Sequence, residues 1–119
     1  MRMRRLASAV ASLALCLPLA AGARPLTYTE CVEGSDFIGN AARSRDNGIA
    51  RSEFIGRLKG DIVAIQAYPA HLRWFVQDAD DAEFLIEEAE TVFDSNDKPE
   101  THAASFFKRC IARMDGRPT

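Results

Sequence analysis

Between Tyr28 and Met114 apolar residues return every three or four positions, and no stretch alternates apolar with polar side chains for long. The first spacing lines one face of a helix and the second would line one face of a strand, so the pattern predicts an all-α fold with four main helices. The first begins near Tyr28 behind a Thr27 cap and carries Cys31, Ile38, Ala41 and Ala42 inward. It stops at Asn47-Gly48, where glycine accepts a left-handed backbone. The second, from about Arg51 to Ala67, turns Phe54, Ile55, Leu58, Ile62 and Ile65 to the core. Gly56 and Gly60, four positions apart, either permit a close helix contact or are merely tolerated.

Pro69 ends that helix, and the following AHLRWFVQ predicts a short connecting helix or turn that sets Trp74 and Phe75 against the core. Asp78 then has the character of an N-cap, with Asp81 three residues on, where a helix dipole favours carboxylates. The third helix runs to about Phe93 and buries Ala82, Leu85, Ile86, Ala89, Val92 and Phe93 as one stripe, leaving Glu83, Glu87, Glu88 and Glu90 on the remaining face. After the loop DSNDK, Asp97 and Glu100 predict a capping box with Pro99 in the first turn. The fourth helix faces Ala103, Phe106, Phe107, Cys110, Ile111 and Met114 inward.

The first 23 residues belong to a different pattern: Arg2, Arg4 and Arg5, an apolar run from Leu6 to Ala21, then the small triplet Ala21-Gly22-Ala23. These are the parts of a secretory signal peptide, expected to be cleaved before Arg24. Pro18 and the brevity of the run argue against a membrane span, and Leu15 is too bulky to precede a lipidated Cys16, so no stable membrane anchor is expected after cleavage. Residues 24–115 are then expected to form one helical domain, with 116–119 a loose tail. Export changes the cysteine arithmetic. Cys16 leaves with the signal, and Cys31 and Cys110, meeting in an oxidising compartment, predict a disulfide that ties the first helix to the last.

Without residues 1–23 the chain keeps 17 acidic side chains against 12 basic ones, a formal charge of −5. An acidic chain with no basic and aromatic strip is not expected to bind nucleic acid. The charge is also uneven. From Gln77 to Glu100 ten acidic residues face a single lysine, a local charge of −9, while the rest of the exported chain carries +4. Such asymmetry would speed encounter with a protein partner of basic surface, and the alternative is a merely solvated helix face. The candidate partner-binding residues are Glu83, Glu87 and Glu90, with Trp74 and His71 from the aromatic connection supplying apolar contact.

Other chemistry finds less footing. Counting from Asp78 as the first position of a calcium loop puts Ala82 fifth, Glu83 sixth and Ala89 twelfth, where a ligand, a glycine and a bidentate glutamate belong. The exported chain has only His71 and His102 as histidines, and no GxSxG or HExxH. No enzyme activity, metal or cofactor is expected.

Signal segment, Cys31, AARSRDNGIAR, RWFVQD, an acidic helix ending in VFD and a closing Cys110 together resemble small two-cysteine helical exported proteins of Gram-negative bacteria. The resemblance implies a periplasmic address and a helical, disulfide-held fold. In general build the chain is also similar to the HdeA acid-stress chaperones and to the Rap/Tai immunity proteins of type VI secretion. Three functions follow as expectations: a non-enzymatic periplasmic protein that binds another protein through its acidic helix, an acid-stress chaperone, and an immunity protein against a secreted toxin.

Overall fold

In a computed structural model, residues 25–116 are described; the expected signal segment 1–23, with Cys16, and all of the expected tail except Gly116 lie outside them. Four α-helices follow one another: α1 Tyr28–Asp46, α2 Arg51–Ile65, α3 Ala79–Phe93 and α4 Pro99–Met114, with a single 3-10 turn, Ala70–Leu72, between α2 and α3. There is no strand among the described residues.

Both ends of α1 are set by local chemistry. Thr27 Oγ1 accepts the Glu30 N–H at 3.1 Å while Glu30 Oε1 accepts the Thr27 N–H at 3.1 Å, a reciprocal capping box. At the other end Gly48 takes φ +93°, its N–H donates to the Arg45 carbonyl, and the Ile49 N–H reaches back to Ser44. That pair of bonds satisfies two carbonyls the helix would otherwise leave open. α2 closes at Ile65, two residues before the predicted end, because Gln66, Ala67 and Tyr68 donate three residues back and tighten the chain ahead of Pro69. Asp78 caps α3 as predicted, accepting the Asp81 N–H at 2.9 Å.

The predicted start of α4 needs correcting. Pro99 is the first helical residue, so the capping position falls on Lys98, which makes no side-chain cap bond, and Asp97 stands outside the helix. There its N–H donates to Ser95 Oγ at 3.0 Å and its carbonyl accepts from Arg45 Nη2 at 2.8 Å. A proline pushes the residue before it out of the helical region, so Lys98 is extended and the helix cannot begin before Pro99.

α1 packs along α4, and α3 lies against α1 on one side and α2 on the other. The Cys31–Cys110 disulfide joins α1 to α4, as predicted, with both sulfurs fully buried. Beside it Gly34 lets the helices close: a Cβ built there would lie 2.6 Å from Cε1 of Phe106, a ring with no exposure. Gly56 and Gly60 make no such contact. Both face outward on α2 with nothing within 4 Å of a Cβ, so the close approach sits on α1 instead.

A line of aromatic rings runs through the fold, Phe93, Phe54, Phe37, Trp74, Phe75, Phe84 and Phe106, with successive centroids 5.1 to 6.2 Å apart. Phe84 lies off the predicted stripe of α3 yet is buried, because it stacks on Phe106 from α4 at 5.2 Å, with the Arg113 guanidinium over its ring, 4.5 Å from the centroid.

Candidate functional site

The connection between α2 and α3 bends at Phe75, which has φ +54° although it is a bulky, fully buried residue. The Val76 N–H donates to the Trp74 carbonyl across it, closing a γ-turn. Three carboxylates pin the segment: Glu30 Oε2 accepts the Phe75 N–H at 3.3 Å, Asp81 Oδ2 accepts the Gln77 N–H at 3.0 Å, and Glu33 Oε1 accepts Trp74 Nε1–H at 3.0 Å. Left-handed backbone is unfavourable for a phenylalanine, so these bonds and the ring stack are what hold it. Burial raises the Asp81 carboxyl above its ordinary range, partly offset by the Gln77 N–H and more weakly by Arg113.

α3 presents its glutamates unequally. Glu83, Glu87 and Glu90, spaced by four and three, share a face. Glu90 approaches Arg51 of α2 at 3.6 Å, and Arg51 also grips Asp94 through two bonds at 2.9 and 3.2 Å. Glu88 is half-buried and accepts from Arg109 Nε at 2.9 Å, tying α4 to α3. Glu83 and Glu87 are exposed, and neither joins an ion pair among the described residues. With Asp80, Phe84 and Arg113 they line a shallow depression of about 160 Å³.

Trp74 and His71 lie elsewhere. Trp74 is half-buried between Phe37, at 5.8 Å, and Phe75, at 5.5 Å, and lines a cleft with Leu85. Leu85 is 200° around α3 from Glu83, so the helix itself separates the tryptophan from the paired glutamates. His71 is exposed on the 3-10 turn. The five residues expected to form one partner surface are therefore distributed, with only Glu83 and Glu87 sharing a depression.

The cleft at Trp74 has a volume of about 360 Å³ and opens to solvent. Its base is made by the buried Leu58, Ile62, Val76 and Leu85, its sides by the half-buried Phe37 and Trp74. Among the described residues Asp61 on α2 is the one ionisable residue lining it. The helical periodicity sets Leu58 and Ile62 toward the core, but periodicity carries no information on whether the space above them stays open.

A second polar junction was also hidden in the sequence. Arg45, near the end of α1, donates to the carbonyls of Val92 at 2.8 Å, Ser95 at 2.9 Å and Asp97 at 2.8 Å, which fastens the loop between α3 and α4. Buried His102 faces it, with Nε2 3.5 Å from Arg45 Nη1 and 3.3 Å from Ser95 Oγ. Burial, and then the Arg45 charge, lower the His102 pKa below its ordinary value.

Among the described residues no three His, Cys, Asp or Glu side chains are grouped to hold a metal ion, and no helix is long and apolar enough to cross a membrane. Compared with protein families, curated proteins and solved structures, the chain matches none.

Proposed function

We propose that this is a non-enzymatic periplasmic protein that binds a basic protein partner through the first half of the α3 acidic face, at Asp80, Glu83 and Glu87. The observation that carries the reading is the division of labour among the α3 carboxylates. Glu88 and Glu90 are occupied by Arg109 and Arg51, whereas Glu83 and Glu87 stand in solvent without a paired cation among the described residues. Carboxylates used for holding the fold need partners within it; carboxylates left open on one face are available to a partner outside it.

A pull-down from periplasmic extract, run at about 50 mM and again at about 500 mM salt, tests the reading, since charge-steered association weakens once the screening length falls to a few ångströms. Capture should fall at high salt and in a Glu83→Lys/Glu87→Lys variant, with helix content unchanged. Glu90→Lys should act differently, lowering stability by removing the Arg51 contact before it touches binding. A partner retained equally by the doubly reversed protein at both salt concentrations would rule out this face.

The acid-stress chaperone reading has one observation of its own. Protonated His102 would meet Arg45 inside the junction that fastens the α3–α4 loop, so acid would loosen that loop and uncover the apolar surface beneath. Suppression of client aggregation at about pH 4, lost in a His102→Gln variant, is its expected signature, pH 4 lying below the ordinary histidine range.

A further inference from the structure

The cleft at Trp74 lies apart from the acidic face and needs no protein partner to account for it. We infer that it binds a small cationic amphiphile, a molecule with one apolar chain or ring and one positively charged head.

Size comes first. The cleft has a volume of about 360 Å³. It falls in the range of sites that hold one small molecule. The walls decide the tail: Leu58, Ile62, Val76 and Leu85 offer only apolar contact at the base.

The rim decides the head. Asp61 is exposed at the mouth and joins no ion pair among the described residues. Among the described residues no basic side chain lines the cleft, and Arg57, one turn before Asp61, is paired with Glu53 at 3.5 Å, so an anionic head would meet the Asp61 carboxylate first. Phe37 and Trp74 add aromatic rings, a residue type whose faces attract cations and repel anions. Preorganisation favours binding further. Trp74 is already held by its bond to Glu33 and by contact with Phe37 and Phe75, so a ligand would not have to order the aromatic wall.

The chain contains one tryptophan, so its emission reports this cleft directly. Purified protein is titrated with decyltrimethylammonium, decyl sulfate and neutral decyl maltoside, each below its micelle-forming concentration, with circular dichroism confirming intact helices. The ammonium compound is expected to give a saturable one-site change and to bind about tenfold more tightly than the sulfate. Asp61→Asn should cut that preference to roughly threefold or less while leaving maltoside binding unchanged, Asp61 being a surface charge with no fold contact to lose. No saturable response of Trp74, equal affinity for the ammonium and the sulfate, or indifference to Asp61→Asn would each overturn the assignment. So would two outcomes naming another occupant: a ligand-free dimer in sedimentation whose formation shifts the Trp74 emission, or saturable binding of a short leucine-lysine peptide where the ammonium compound fails.

Discussion

Protonating His102 sets a second positive charge against Arg45 inside a closed junction. Burial is the larger cause of its lowered pKa, Arg45 the next, with Asp97 and Glu88 pulling the other way and Arg109 adding to the lowering. As pH falls the unfolded chain takes this proton first. The stability contributed by His102 is therefore complete above the ordinary histidine range and is lost as pH falls through the lowered folded value. Asp81 has the opposite sign. Its raised pKa means the folded chain takes the proton first, so its contribution is complete in acid and is lost as pH rises through the raised value. Melting followed from about pH 3 to 8, a span covering both ordinary ranges, should show His102→Gln removing part of the acid loss and Asp81→Asn removing part of the loss on the other side. A melting profile in which neither variant changes the slope would contradict both assignments. Little of this was legible beforehand. Asp81 reads as a first-turn carboxylate, which it is, but its second task at Gln77 depends on a backbone bend no local pattern marks. Arg45 reads as an ordinary helix-end cation, because the carbonyls it binds lie 47, 50 and 52 residues further along.

At the scale of helices, the periodicity located all four and the caps located most of their ends, since both signals depend on neighbours within one or two turns. Two failures share a physical cause. The stripe on α3 assumed one packing neighbour, and α3 has more than one, which is why Phe84 is buried off the stripe. The paired glycines of α2 had the spacing for a close helix contact, but spacing says nothing about whether a second helix arrives. The glycines now separate into two kinds with opposite mutational signs. Gly56→Ala and Gly60→Ala, each open to solvent, should stabilise by about 0.5–1 kcal/mol, the usual gain of alanine over glycine within a helix. Gly34→Ala forfeits that gain by driving a methyl into the buried Phe106 ring and should destabilise by roughly 1–3 kcal/mol. Urea midpoints of the three single variants check the signs, and a stabilised Gly34→Ala protein would disprove the packing described for α1 and α4.

For the molecule as a whole, the disulfide closes a loop spanning 79 positions between the outer helices. Constraining an unfolded chain over that length contributes about 4.5 kcal/mol on the chain-entropy model. A Cys31→Ser/Cys110→Ser variant should lose roughly 2–5 kcal/mol and melt well over 5 °C lower, the scale expected of a domain this size. A shift of only a degree or two would mean that packing alone carries the fold. The pairing was visible in the sequence because only two cysteines lie outside the expected signal segment. The division of the acidic charge was not: ten carboxylates look alike on paper, and only three-dimensional proximity to Arg51, Arg109 and Gln77 tells the structural ones from Glu83 and Glu87.

Phe75 faces two demands that no single ribosomal residue satisfies together. Its backbone conformation is one that glycine would adopt freely, and its ring sits against Phe84 and Phe106 at the centre of the aromatic line. Glycine at 75 would relax the bend and lose about 3–5 kcal/mol with the ring, while any other large side chain would keep the bend's cost. Stepwise sequence drift has no downhill exit from phenylalanine there. Inverting the α-carbon offers no exit either: D-phenylalanine would relax the bend but send its ring where the α-hydrogen now lies, away from Phe84 and Phe106.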